Sequence, residues 1–460
     1  MQLEFISNTG FYLEHDGVVI GMDIWLTQGP FEGSWFHYPP LRPTKFSVED
    51  CDYIYISHIH PDHCDFKALN RARRDTTFIV PAYMNCLLER KLRAFGFKNV
   101  ISLHPGEQTN LKCNARITLY GQFINNLFAA SAFGSLIDSA ILLEWDDRTI
   151  LNCNDNYLDA VSARKIVAAH PSIDLALMPH SASGPYPASF RNLNQAEKVA
   201  EAKRLQREYI DHFVAITDIV RPRIVVPCAA EYVVVGSLHE KNPFIGLASA
   251  DEAVSQINKT ERVGRGPTTA VRMDCGTILN IEDGTLSGLP PRRWTDQDRD
   301  DFAERLKDVP FPYEWESECT DVREIKTMVQ TGRNHIWQQQ TRLDWKIDYN
   351  IYLTIDGRTS FHFNFSDPRT TFSESHIEER IQPYLECFLS QQLLCAILSR
   401  KAHWNNAEGG LHIDFFRAPN IYLPEVYTLM SFLHVPRNTH EDGGVAAERS
   451  EERRPTEYSV

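Results

Sequence analysis

The sequence predicts an α/β protein with helix-covered sheets over residues 1–288 and a smaller α+β domain over residues 289–436. Three observations carry that expectation. Apolar, β-branched runs alternate with amphipathic segments through the first 280 or so residues, the pattern of strands joined by helices. The length, 460 residues, exceeds what one ordinary core accommodates. After about Gly288 the pattern changes, and LPPRRWTDQDRDD, rich in proline and charge, reads as a linker.

In chain order, VVIGMDIWL (18–26) and DYIYISHIH (52–60) read as buried strands, the second ending in a polar loop. Two helical segments, FKALNRARRD and PAYMNCLLERKLRAFG, flank the short strand TTFIV. ARITLYGQF is a strand, and SAILLEWDDRTILNCND is a hairpin turning at Asp146-Asp147. The helix DAVSARKIVAAH, the strand IDLALMPH, a long helix from about Asn194 to Val220 and the strand PRIVVPCAA complete the first domain. Beyond the linker, WKIDYNIYLTI and TSFHFNF form a hairpin around Asp356-Gly357. SESHIEERIQPYLECFLSQQLLCAILSRK reads as one long Ser-capped helix kinked at Pro383, and GGLHIDFFRAP as a strand. Residues 437–460 are too poor in apolar side chains to fold and are expected to be a disordered tail.

Composition excludes several classes. A formal net charge of −14 opposes non-specific nucleic-acid binding, which needs a basic surface. No run approaches the roughly 18 uninterrupted apolar residues of a membrane span. MQLEFISNTGFYLEHDG lacks the basic and apolar regions of a secretory signal, so the cytoplasm is the expected compartment. The ten cysteines contain no C-x-x-C pair and read mostly as small buried hydrophobes.

The chemistry concentrates in Ser57-His58-Ile59-His60-Pro61-Asp62-His63. Three imidazoles and a carboxylate fall within six positions at a strand end, and in an extended segment His58 and His60 point the same way. Neutral imidazole and carboxylate are the donors that zinc, iron and manganese take. Two adjacent pockets follow, one around His58 and His60, the other around Asp62 and His63.

This H-x-H-x-D-H run resembles the signature of the metallo-β-lactamase superfamily, which implies an αββα sandwich. The resemblance extends to Asp23 after VVIGM and to Asp155 after RTILNCN, which it implies is a bridge between two metals. A narrower resemblance, over about residues 8 to 235, is to the CMP-N-acetylneuraminate hydroxylase family. It rests on Asp23-Ile24-Trp25-Leu26-Thr27, Gly29-Pro30, Trp35, His37, Pro39-Pro40, Tyr53 to His58, Leu151-Asn152, Ser183-Gly184 with Pro187, and Arg221-Pro222-Arg223-Ile224 leading to Pro227. It implies an iron-dependent oxygenase with one or two transition-metal ions, iron favoured over zinc or manganese. The chain lacks the paired C-x-H and C-x-x-H motifs of a Rieske domain, so that chemistry implies a separate reductase or ferredoxin.

Two superfamily histidines are also missing. Gly134 or Ser135 stands where one is expected, and Cys228-Ala229-Ala230 replaces the other. His180, ending the strand IDLALMPH, is the best substitute ligand; Glu231 is a weaker one, and Cys228 reads as core. Trp25, Trp35 and His37 lie on a loop that would overhang the metal and are assigned to the substrate pocket. Lys203 and Arg207 read as a solvated helix face, and Trp404, Glu408, His412 and Arg417 receive no role.

Three functions follow. The first is a metal-dependent oxygenase of a small polar metabolite. The second is a metallo-hydrolase of an ester, amide or phosphate, with Asp62 orienting or deprotonating water. The third is a binding module with a vestigial site.

Overall fold

A computed structural model describes residues 1–124, 137–259, 268–315 and 321–436, apart from residues 358, 368, 374–376 and 378. Gly134, Ser135 and the expected tail lie outside these described residues.

The first sheet runs in the order Leu286–Gly288, Thr277–Asn280, Gln2–Ser7, Gly10–His15, Val18–Met22, Tyr53–Tyr55, Thr77–Pro81, Val100–Leu103. The second runs Thr269–Ala270, Ile224–Cys228, Leu175–Pro179, Arg148–Asn152, Ser139–Trp145, Ala115–Gly121, Gln108–Asn110. Their inner faces share one apolar core, in which Leu3, Phe11 and Ile20 of the first sheet cluster with Ile117, Ile141 and Leu177 of the second. Helices Ala160–Ala169, Gln195–Val220 and Ala250–Lys259 cover the outer face of the second sheet. Helices Phe66–Leu69 and Leu87–Ala94 cover that of the first. This is the αββα sandwich of the metallo-β-lactamase fold.

Local chemistry places these elements. The long helix Gln195–Val220 begins at a capping box in which Asn194 and Glu197 satisfy each other's backbone N–H groups. The strands Val18–Met22, Tyr53–Tyr55, Arg148–Asn152, Leu175–Pro179 and Ile224–Cys228 each have parallel neighbours, and their carboxyl ends lead into the loops that form the candidate site. Buried parallel strands read as unbroken apolar runs, and Val18–Met22, Leu175–Pro179 and Ile224–Cys228 do.

Two expectations need correction. The stretch read as a linker runs into the helix Asp296–Arg305, opened by a capping box between Thr295 and Asp298. Its Phe302 and Ala303 pack with Phe36, Tyr38, Val233 and Val235 of the sandwich, so proline and charge marked a helix start rather than a loose connection. The segment read as one kinked helix is instead a strand, Tyr384–Leu389, followed by a separate helix, Gln391–Leu398, capped by Ser390. Leu385, Phe388 and Leu389 mimic helical spacing, but the strand lies inside a sheet, between Asn350–Ile355 and Asp414–Ala418. Pairing on both sides outweighs the local pattern.

The C-terminal sheet runs Thr370–Ser373, Thr359–Asn364, Asn350–Ile355, Tyr384–Leu389, Asp414–Ala418. Helix Val322–Arg342, for which no expectation was made, packs its Ile325, Val329 and Ile336 into the same core. The two halves of the chain are joined tightly. Phe190 of the sandwich pairs in parallel with Phe415 at the sheet edge. Lys241 reaches Asp414 at 2.6 Å, with Arg191 on the carboxylate's other oxygen at 3.1 Å. No helix among the described residues is long and apolar enough to cross a membrane.

Candidate metal centre

The loop after Tyr53–Tyr55 folds back on itself, with the amides of His63 and Cys64 both donating to the carbonyl of His60. That turn brings His58 and His63 inward to meet Asp155, and one donor atom from each of the three lies within 4.8 Å of the others. Both histidines are buried. Asparagines set the Asp155 turn: Asn154 Nδ2 donates to the Ser139 carbonyl, Asn154 N to Asn152 Oδ1, and Asp155 N to Asn154 Oδ1.

Asp23 orients His63. It follows the strand Val18–Met22, is fully buried, and accepts from both the amide and the hydroxyl of Ser57 at 2.7 Å. Its Oδ2 is 2.9 Å from His63 Nδ1, which fixes the proton there and leaves Nε2 to face the cluster. His63 Nε2 lies 3.2 Å from Asp62 and 3.3 Å from Asp155. Burial alone would lower the His63 pKa, but the carboxylates of Asp155, Asp62 and Asp23 outweigh it and hold the ring well above its ordinary value. Burial drives His58 the other way, well below.

Three buried atoms here lack any hydrogen-bond partner: Asp62 Oδ1, His63 Nε2 and Asp155 Oδ1. Buried polar atoms are almost always paired, and orphaned atoms of metal-ligating type on His63, on Asp155 and on the neighbouring Asp62 fit a cation. The residues present therefore suit a transition metal held by His58, His63 and Asp155, with Asp62 beside them.

His60 differs from the expectation. The structure groups His58 with His63 and Asp155, while His60 Nδ1 sits 2.9 Å from His58 Nε2 and His60 Nε2 faces Asn405 Oδ1 at 3.0 Å. His180 is a clear correction. Its Nδ1 faces the carbonyl of Cys228 at 2.8 Å and its Nε2 that of Ala248 at 3.1 Å, so neither nitrogen is directed at the cluster. Burial pushes its pKa down to about 4, and the neutral ring, with a single N–H, donates to one of the two carbonyls. Glu231 turns instead towards Arg272, 3.5 Å away. Trp25 and His37 are also corrected: both are fully buried and stacked on each other at 3.8 Å, with His37 Nε2 on the Trp25 carbonyl. Trp35, stacked on Tyr232, does line the cavity beside the cluster.

That cavity, about 280 Å³, is also lined by Asn8, Phe31, His60, Asp62, Asp155 and the Ser181–Pro185 turn. Across from these stand Asn405, Glu408 and Gly409 of the C-terminal half. Sequence reasoning missed two residues close to the ligands. Asn8 donates to Asp62 Oδ2 at 2.9 Å, and its backbone carbonyl accepts from Ala229, in the loop after the strand Ile224–Cys228. Asp138 precedes the strand Ser139–Trp145, with its carboxylate 3.5 Å from His58 Nδ1. Burial beside Asp155 raises the Asp138 pKa well above the usual carboxylate range. Its place immediately before the strand Ser139–Trp145 was the available signal.

No family model matches the chain. It is similar to a Mycobacterium tuberculosis protein described as a Rieske 2Fe-2S iron-sulfur protein, 25% identical over 210 residues, 45% of this chain and 40% of that protein. A Mycolicibacterium smegmatis protein of the same description is 26% identical over 212 residues, 45% of this chain and 39% of its own length. The match thus spans about two-fifths of the curated relatives. Solved structures similar in fold include CmlA, a diiron β-hydroxylase from Streptomyces venezuelae, at 16% identity and TM-score 0.41, covering 63% of this chain and 54% of that one. Igni18, a metallo hydrolase from Ignicoccus hospitalis, is 18% identical at TM-score 0.40, covering 63% of this chain and 99% of that one. These likenesses concern the fold alone.

Proposed function

We propose that the chain is a metal-dependent oxygenase acting on a small polar metabolite. The observation that carries this reading is the group of two buried imidazoles and one carboxylate, His58, His63 and Asp155, in which His63 Nε2 and Asp155 Oδ1 have no hydrogen-bond partner. That donor set is the one non-haem iron oxygenases use, and it leaves coordination positions open. Both His180 nitrogens face carbonyls, so His180 does not supply the further imidazole that would favour a closed, zinc-like shell. Iron held there would activate dioxygen, whereas zinc would lower the pKa of water for hydrolysis.

The chain's own residues have defined tasks. Asp23 keeps the His63 proton on Nδ1. Asn8 holds Asp62 so that Oδ1 stays free beside the cluster. Phe31 and Trp35, 4.2 Å apart, form an apolar wall that restricts water. The resemblance to the CMP-N-acetylneuraminate hydroxylase family supports hydroxylation. The description of the mycobacterial relatives supports one-electron supply from an iron-sulfur protein, here a separate reductase or ferredoxin. A hydrolase is the second reading, favoured by the free Asp62 Oδ1, which is placed to orient or deprotonate water. The test is oxygen uptake by the iron-loaded chain with a chemical reductant, across a panel of small polar metabolites. Uptake that requires a panel member and is lost in Asp155→Ala supports the oxygenase. Ester or amide hydrolysis by the zinc-loaded chain, with no substrate-dependent oxygen uptake by the iron form, overturns it.

A further inference from the structure

The cavity beside the metal cluster is closed on its far side by a short helix of the C-terminal half, Trp404–Gly409. This helix is held against the ligand loop. Asn405 Oδ1 meets His60 Nε2 at 3.0 Å, the His403 amide donates to Glu32, and Gly409 lies against the Phe31 ring. Glu408, one turn from Asn405, lines the same cavity. It is partly buried and makes no side-chain hydrogen bond or ion pair among the described residues.

The remaining charges on the cavity wall are one-sided. Its described lining holds three carboxylates, Asp62, Asp155 and Glu408, and no lysine or arginine. Asp62 and Asp155 belong with the metal, whose charge they offset. Glu408 is left over, across the cavity and without a counter-ion. A phosphate or carboxylate entering there meets no guanidinium or ammonium, the groups that ordinarily bind such anions. A cationic group instead supplies the partner that Glu408 lacks.

We infer that Glu408 is the specificity-determining residue of this site and selects a substrate bearing a primary amine, whose ammonium it binds. The inference rests on reading His58, His63 and Asp155 as the metal centre. It narrows the small polar metabolite to an aminated one, and it disfavours the nucleotide-linked acidic sugar that family resemblance alone would suggest. Burial without a partner pushes the Glu408 pKa up to about 8, and an ammonium beside it reverses that by favouring the carboxylate. The C-terminal half thereby acquires a purpose beyond packing: it carries the substrate-reading side chain, while the sandwich carries the metal.

The test is calorimetric titration of the full-length chain, metal content measured in parallel, with glucosamine, glucose and glucose 6-phosphate as matched probes. Glucosamine is expected to bind about tenfold tighter than glucose, the scale of one hydrogen bond to a charged group, and glucose 6-phosphate no tighter than glucose. Glu408→Gln, nearly isosteric, is expected to keep its metal and its melting temperature while losing the preference for the amine. Equal binding of glucosamine and glucose, absence of glucosamine binding, tighter binding of the phosphate, or an amine preference that survives in Glu408→Gln each overturns the inference. Failure of the metal reading is a separate result, namely no metal in the wild-type chain, and is scored independently of the probe ranking.

Discussion

Two buried histidines, His63 in the strand-end loop and His412 at the junction of the halves, show what distinguishes a ligand from a structural ring. His412 is fully partnered. Its Nε2 lies 2.9 Å from the Phe31 carbonyl, which only accepts, so the proton sits there; Nδ1 then accepts from the Tyr313 hydroxyl at 2.8 Å. Burial pushes its pKa down to about 3, and every polar atom of the neutral ring is used. His63 has one nitrogen locked by Asp23, while the other stands between Asp62 and Asp155 with no hydrogen bond. Equal burial thus accompanies opposite chemistry. The difference lies in whether the second nitrogen is left for something the protein does not itself supply.

The comparison breaks most readily at the ligands. His60→Ala combined with His63→Ala is expected to abolish bound transition metal while the far-ultraviolet circular dichroism stays native; unchanged metal content by elemental analysis sinks the assignment. One step out, Asp23→Asn removes the carboxylate that fixes the His63 proton and is expected to weaken metal affinity about 10–100-fold, measured by chelator competition. An unchanged affinity would show that Asp23 serves the fold alone.

The structural histidine gives a smaller effect with a defined sign. The folded pKa of His412, about 3, lies below the unfolded value of about 6.5. Between these values the unfolded chain binds a proton that the folded chain refuses, so stability is full above about pH 6.5 and falls as the pH drops. His412 alone contributes a loss of about 2 kcal/mol from pH 6.5 to 5, and urea unfolding of His412→Gln at both pH values is expected to show a pH dependence weaker by that amount. An identical dependence in the two proteins would refute this. Smallest of all, His180→Asn is expected to cost about 1 kcal/mol of stability through its carbonyl contacts and to leave metal content unchanged. Loss of metal in that variant would restore His180 as a ligand.

How much of this was legible in the sequence follows from the range of the interactions. The strand-end motif is local, so His58, His60, Asp62 and His63 could be read directly; the alternation announced helix-covered sheets, and the motif's family resemblance implied the sandwich. Asn8 could not be read that way. Asn8 meets Asp62 across 54 positions of sequence, and nothing near Asn8 marks it. His180 misled because a strand-end histidine looks the same whether its ring meets a metal or two carbonyls contributed by residues 48 and 68 positions away. Trp25 and His37 misled likewise, since their stacking on each other is set by the loop's fold. Tyr384–Leu389 looked helical because spacing is local while its two sheet neighbours are distant. Glu408 carried no spacing signal, and only the docking of its helix against His60 and Phe31 puts it on the cavity wall.

The most direct test of the metal centre is an anomalous-difference map, collected at the iron edge, from crystals of the full-length chain purified without oxygen or added metal. The expected result is a peak within bonding distance of His63 Nε2, an Asp155 oxygen and a His58 nitrogen, with His180 still on its two carbonyls. A map with no transition-metal peak among these three residues, or with the metal bound by His180, would contradict the account.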